Sequence, residues 1–213
     1  EEESGNELPD LYALTTLLPC DFFADKKGIL QILNFCIANA PNGSELKQFM
    51  EGMQRLYTKK DVSNEVFNKF KLGVFINERI ANLPQPLIGP LLNLLREDIA
   101  NYKEANDGNK KYDVTHVLYI TKIVKDSDSA NKETGKKKMP FGNSNANQDK
   151  YLFYKYDDEH FLKEAECTSI FKVPLEEKEL ENLENKNEPI YKAIMVLTAE
   201  RFYKVIDFLS SQK

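Results

Sequence analysis

Between Leu72 and Ile99 the chain changes pattern twice in quick succession. The apolar run Leu72-Gly73-Val74-Phe75-Ile76 gives way to polar Asn77-Glu78-Arg79, then to Asn82-Leu83-Pro84. Pro86 then opens a segment in which Leu87, Ile88, Leu91, Leu92, Leu94, Leu95 and Ile99 recur at helical spacing. A short apolar run with β-branched residues is the pattern of a central strand buried on both faces. Pro86 and Pro90 fall in the first helical turn, where a missing N–H does no harm. Strand, structured turn and helix follow within one stretch, and only a fold with both element types accommodates that.

The rest of the chain alternates in the same way. Leu11 to Leu18 reads as a strand that Pro19 ends, and Asp25 caps a helix that Pro41-Asn42-Gly43 stops. A second helix begins at Ser44. Tyr112 to Val124 is the longest strand candidate, and Tyr151 to Tyr156 is another. Residues 126–149 between them are rich in Asp, Ser, Asn, Lys and Gly, which reads as a flexible insert at a hairpin tip. Asp157, Asp158 and Glu159 precede a short helix, with acids at its positive end. Strands at Cys167–Val173 and Ile190–Leu197 follow, separated by an acidic connector, and Thr198 caps a last helix through Leu209. The expected order is β-α-α-β-α-β-loop-β-α-β-β-α. This is an α/β fold with a central mixed sheet flanked by helices, in one domain over 11–213 behind an acidic segment, 1–10.

Composition narrows the function classes. No stretch reaches the roughly 20 consecutive apolar residues of a membrane span. Cys20, Cys36 and Cys167 are odd in number and far apart, so neither a disulfide framework nor a zinc site is indicated. The net charge is -5 and unevenly placed. Residues 1–10 hold five acids and no base, and residues 176–188 hold six glutamates against Lys178 and Lys186. An acidic surface argues against direct nucleic-acid binding, which draws its affinity from neutralised phosphates, and suits a basic protein partner. Lys136, Lys137 and Lys138 read either as a nuclear-import patch or as a solvated charge run.

Motifs for catalysis are scarce. The nine glycines never fall at the spacing of a dinucleotide or phosphate-binding loop. His116 lies inside the long strand and reads as a core or sheet-face residue. His160 follows three acids, so an Asp–His pair is conceivable; the simpler account is acids capping a helix beside a solvated histidine. Glu78-Arg79 reads as a paired structural anchor, or as a site at the carboxyl edge of the sheet. Asn82 reads as a residue bonding the turn backbone ahead of Leu83-Pro84. No catalytic residue, metal site or cofactor is expected.

A resemblance extends this reading. Asn77-Glu78-Arg79-Ile80-Ala81-Asn82-Leu83-Pro84, then Pro86 and Pro90-Leu91-Leu92, is similar to the core motif of the BCCIP family. Tyr112-Asp113 before the long strand, the lysine-rich loop, and the block Phe153 to Phe161 with Asp157-Asp158-Glu159 agree in order and spacing, as does the terminal strand and helix. The resemblance implies a long acidic N-terminal tail and a first helix–strand unit ahead of the Leu11 strand, where this sequence shows only the short acidic segment 1–10, and Gln85 displaces the family's second proline.

The resemblance implies a fold like the GCN5-related acetyltransferases without their cofactor loop. It also implies roles without catalysis: a nuclear adaptor or chaperone that shuttles to the cytoplasm, escorts a basic large-subunit ribosomal protein, and supports ribosome biogenesis and nuclear export. Vertebrate members are linked to the cell cycle and DNA repair. On this reading Asp157, Asp158 and Glu159 contact the partner, and Glu78, Arg79, Asn82 and Pro84 form a structural motif. The rival is an acyltransferase of the same fold with a degenerate cofactor loop.

Overall fold

The computed structural model describes residues 12–20, 27–58, 69–80, 83–105, 113–125, 151–174 and 190–212. Among them the elements run β1 (Ala13–Pro19), α1 (Lys27–Asn39), α2 (Glu45–Thr58), β2 (Leu72–Arg79), α3 (Ile88–Ala105), β3 (His116–Lys125), β4 (Tyr151–Phe153), α4 (Asp158–Glu164), β5 (Cys167–Lys172), β6 (Tyr191–Thr198) and α5 (Ala199–Ser211). The order is the one expected from the hydrophobic periodicity. One 3₁₀ turn, Gln85–Leu87, leads into α3 and places Pro90 in its first turn.

The six strands form one mixed sheet in the order β1-β2-β3-β6-β5, with β4 on β3. β2 and β3 are parallel; the remaining pairings are antiparallel. Side chains alternate between the two faces, and each face carries its own core. On one face Phe75, Val117, Tyr119, Met195 and Leu197 pack against α3, α4 and α5. On the other Leu72, Leu118, Ile194 and Val196 pack against α1 and α2. The central strand β6 is buried on both faces across Ala193–Leu197, as its continuous apolar run requires.

Local capping follows from composition. Ser44 Oγ accepts from the Lys47 amide at 3.2 Å and starts α2, and Thr198 Oγ1 accepts from the Arg201 amide at 3.3 Å and starts α5. Gly43 takes a φ of 75° in the turn after α1, a conformation that costs glycine little. Asp25 lies outside the described residues, and so do Asn82, Lys136, Lys137, Lys138, the acidic segments 1–10 and 176–188, and the insert 126–149. The flanks of that insert pair antiparallel, Ile123 opposite Phe153, which makes the two strands the arms of a hairpin.

Two expectations are corrected. Asn77-Glu78-Arg79 continues β2 instead of turning, because all three pair with β1, from Ala13 opposite Arg79 to Thr15 opposite Asn77. The strand expected over Tyr151–Tyr156 ends at Phe153, and residues 154–157 turn back toward the sheet.

Candidate functional site: a fork between parallel strands

The parallel pairing of β2 with β3 runs only from Leu72 opposite His116 to Phe75 opposite Tyr119. Beyond that the strands part. Ile123 is bonded to Tyr191 of β6 on one side, so Phe153 of β4 takes the side that β2 has left. The result is a fork at the carboxyl ends of two parallel strands, the position where open α/β sheets bind ligands.

The fork is filled by the chain itself. Period-2 alternation puts Asn77 and Arg79 on the same face as Phe75, and puts Thr121 on the same face as Tyr119. The turn after β4 lays Asp157 and Asp158 between them. Asp157 receives the Arg79 guanidinium as a bidentate partner, one arm at 3.2 Å, and the Asn77 amide at 2.9 Å. Asp158 accepts from the Tyr119 hydroxyl at 2.5 Å and from the Thr121 hydroxyl at 2.5 Å. Lys155 Nζ donates to the Asn77 carbonyl at 2.5 Å and stands 3.9 Å from Asp158. Each strand thus supplies the donors for one carboxylate, and the two acids bridge strands that no longer bond to each other.

The electrostatics follow from the burial. Asp157 and Asp158 are both 0% exposed, and the Arg79 side chain is 6% exposed. Burial pushes the Asp158 carboxyl up to about 6, against the opposing pull of Lys155. Burial, then the charge of Asp158, raises the Tyr119 hydroxyl well above its ordinary value. A perturbed carboxyl in a cleft is the mark of a catalytic base, but this one is closed off. Both of its oxygens are bonded, and surface cavities of about 140, 180 and 340 Å³ are lined by other residues, none by Arg79, Tyr119, Asp157 or Asp158.

The expected acidic partner surface is therefore corrected. Asp157 and Asp158 are sealed beneath the turn, and Glu159 is 9% exposed with Lys163 as its ion-pair partner. Buried carboxylates must be paired, and these are paired within the chain. Asp157 stands at the N-cap of α4 without a side-chain capping bond, because its oxygens go to Arg79 and Asn77. His160 is half-buried instead of freely solvated: its ring lies between Tyr156 and Phe208, at 5.1 and 4.9 Å between centroids, and burial lowers its basicity. His116 is the sheet-face residue its position indicates, packed between Phe49 and Phe70. Glu78 faces solvent while Arg79 is the anchor, and the anchor's partner is Asp157. Sequence reasoning missed Asn77, Tyr119, Thr121 and Lys155 as members of one cluster. Among the described residues no group of His, Cys, Asp and Glu side chains is arranged to hold a metal. No helix among them is long and apolar enough to cross a membrane.

Fold and site define a mixed α/β domain whose β2–β3 fork is closed by its own acids. The sequence model of the BCCIP family matches residues 1–161, and the chain belongs to that family, which is not a known enzyme family. It is 24% identical to "Protein bcp-1" of Neurospora crassa over 57% of this chain and 37% of that protein. It is 24% identical to "Protein bcp1" of Aspergillus fumigatus over 77% of this chain and 51% of that protein. The chain thus matches about half or less of the length of these curated relatives. The crystal structure of BCP1 from Saccharomyces cerevisiae aligns over 100% of this chain and 94% of that one, at 12% identity and a TM-score of 0.43.

Proposed function

We propose that the chain is a non-enzymatic binding module of the nucleus that escorts a basic protein, a large-subunit ribosomal protein by resemblance to its family. Such a role serves ribosome biogenesis and nuclear export. The observation that carries the non-enzymatic half is the filled fork. Open α/β sheets bind substrate or cofactor in such a crevice, and here Arg79, Asn77, Tyr119 and Thr121 are spent on the chain's own Asp157 and Asp158. Charge supports the escort half. With Asp157–Glu159 buried, the acid-rich stretches 1–10 and 176–188 are the ones best suited to screen a partner's lysines and arginines, beside single exposed acids such as Glu45 and Glu166. Lys136, Lys137 and Lys138 would serve nuclear import, with return to the cytoplasm as part of the escort.

The test is affinity capture from nuclear extract, with the whole chain beside a variant in which the glutamates of 176–188 are changed to glutamine. Recovery of a large-subunit ribosomal protein, weakened in the variant and by raising salt between about 50 and 300 mM, is the expected outcome. Recovery of no basic protein, or recovery indifferent to both changes, would overturn the reading.

A further inference from the structure

β5 is an edge of the sheet, bonded to β6 on one side, and among the described residues no strand pairs with its other side. The register fixes which backbone groups face outward. The Val173 amide donates to the Ile190 carbonyl at 2.8 Å, so Val173 and Ile190 are a hydrogen-bonded pair. Antiparallel pairing alternates, and Phe171, Ser169 and Cys167 therefore also bond to β6. Thr168, Ile170 and Lys172 direct N–H and C=O away from the sheet. Thr168 and Lys172 are exposed and Ile170 is half-buried, so these groups lie within reach of another chain.

Acids flank this edge. Glu166 and Glu45, both exposed, border the 340 Å³ cavity at the head of β5 together with Cys167 and Thr168. After burial, these two charges are the next causes that push the Cys167 thiol up to about 11. Past the strand, the sequence runs into the six glutamates of 176–188. On β5 itself Lys172 is the single charged residue. An unprotected edge accepts an extended segment through main-chain bonds, and flanking charge selects its sign.

We propose that β5 is the docking edge for an extended, lysine- or arginine-rich segment of the partner, which adds to the sheet beside Thr168, Ile170 and Lys172. This rests on the reading of the chain as a carrier of basic proteins and gives that reading a place on the fold.

The experiment is residue-resolved amide exchange on the whole chain, with and without a short peptide alternating valine with lysine. The Thr168, Ile170 and Lys172 amides should slow by about tenfold or more, while those of Cys167, Ser169 and Phe171 stay slow throughout. A peptide alternating valine with glutamate should have no effect, and the double variant Glu45→Lys, Glu166→Lys should lose the response to the lysine peptide. Ile170→Pro removes one outward donor without touching the β6 ladder and should abolish it too; the charge reversal serves if that variant fails to fold. Four results would overturn the proposal. The three amides could be slow in the free protein; protection could rise with protein concentration alone, which assigns the edge to a second copy; the glutamate peptide could protect equally; or the lysine peptide could bind elsewhere. The last result would leave the escort reading standing, whereas failed capture of any basic protein would remove it whatever the edge does.

Discussion

Arg79 and Asp157, 78 residues apart in sequence, form an ion pair sealed from solvent at the mouth of the β2–β3 fork. The pair joins the strand that leaves the parallel ladder to the turn that replaces it. Removing one member strands a charge in a dry site, a loss of about 3–5 kcal/mol. Asp157→Ala and Arg79→Met should each show it in urea unfolding. The double variant should lose clearly less than the sum of the two, since no charge is then left alone. Strict additivity would mean that the two side chains do not depend on each other.

Asp158 sets a pH dependence with a definite sign. Burial pushes its carboxyl up to about 6 in the folded chain, against an ordinary value of 3.8. The folded state therefore binds more protons than the unfolded state between those values. Its contribution is fully present below pH about 4 and is lost as pH rises through about 6. The stability of the wild type relative to Asp158→Asn should fall by at most roughly 3 kcal/mol from pH 4 to 7 and then level off. A relative stability that rises over this window would contradict the burial of Asp158.

Two helical glycines should respond in opposite directions to alanine. A Cβ on Gly89 would stand 2.8 Å from the Leu209 carbonyl oxygen and 3.1 Å from Ser210 Cα, backbone that cannot step aside without parting α3 from α5. Gly89→Ala should cost about 1–3 kcal/mol despite alanine's better helix propensity. A Cβ on Gly52 in α2 meets nothing within 4 Å, so Gly52→Ala should gain up to about 1 kcal/mol. Thermal melts of the two variants read both signs.

The element order was legible because each segment's periodicity is strong and its ends are marked by Pro41-Asn42-Gly43, Ser44, Pro86 and Thr198. What misled was polarity. Asn77 and Arg79 look like turn residues after an apolar run, yet they continue the alternation begun at Phe75, and that period was the available signal. Asp157-Asp158-Glu159 look like solvated acids at a helix start. The burial of Asp157 and Asp158 depends on Arg79, Tyr119 and Thr121, which are 78, 39 and 37 residues away from their partners, and no local pattern announces such a contact. The family resemblance picked out both the Arg79 block and the Asp157 block, but a sequence motif carries no record that the two touch.

The claim that the fork is closed by the chain's own acids is tested most directly by a thermal melt of the whole chain across a range of acetyl-CoA concentrations. A ligand selective for the folded state raises the melting temperature with its concentration. The filled fork leaves acetyl-CoA no room there, so the expected result is an unchanged melting temperature even at millimolar ligand. A rise that grows with concentration would show the crevice open to a cofactor, and would contradict the account.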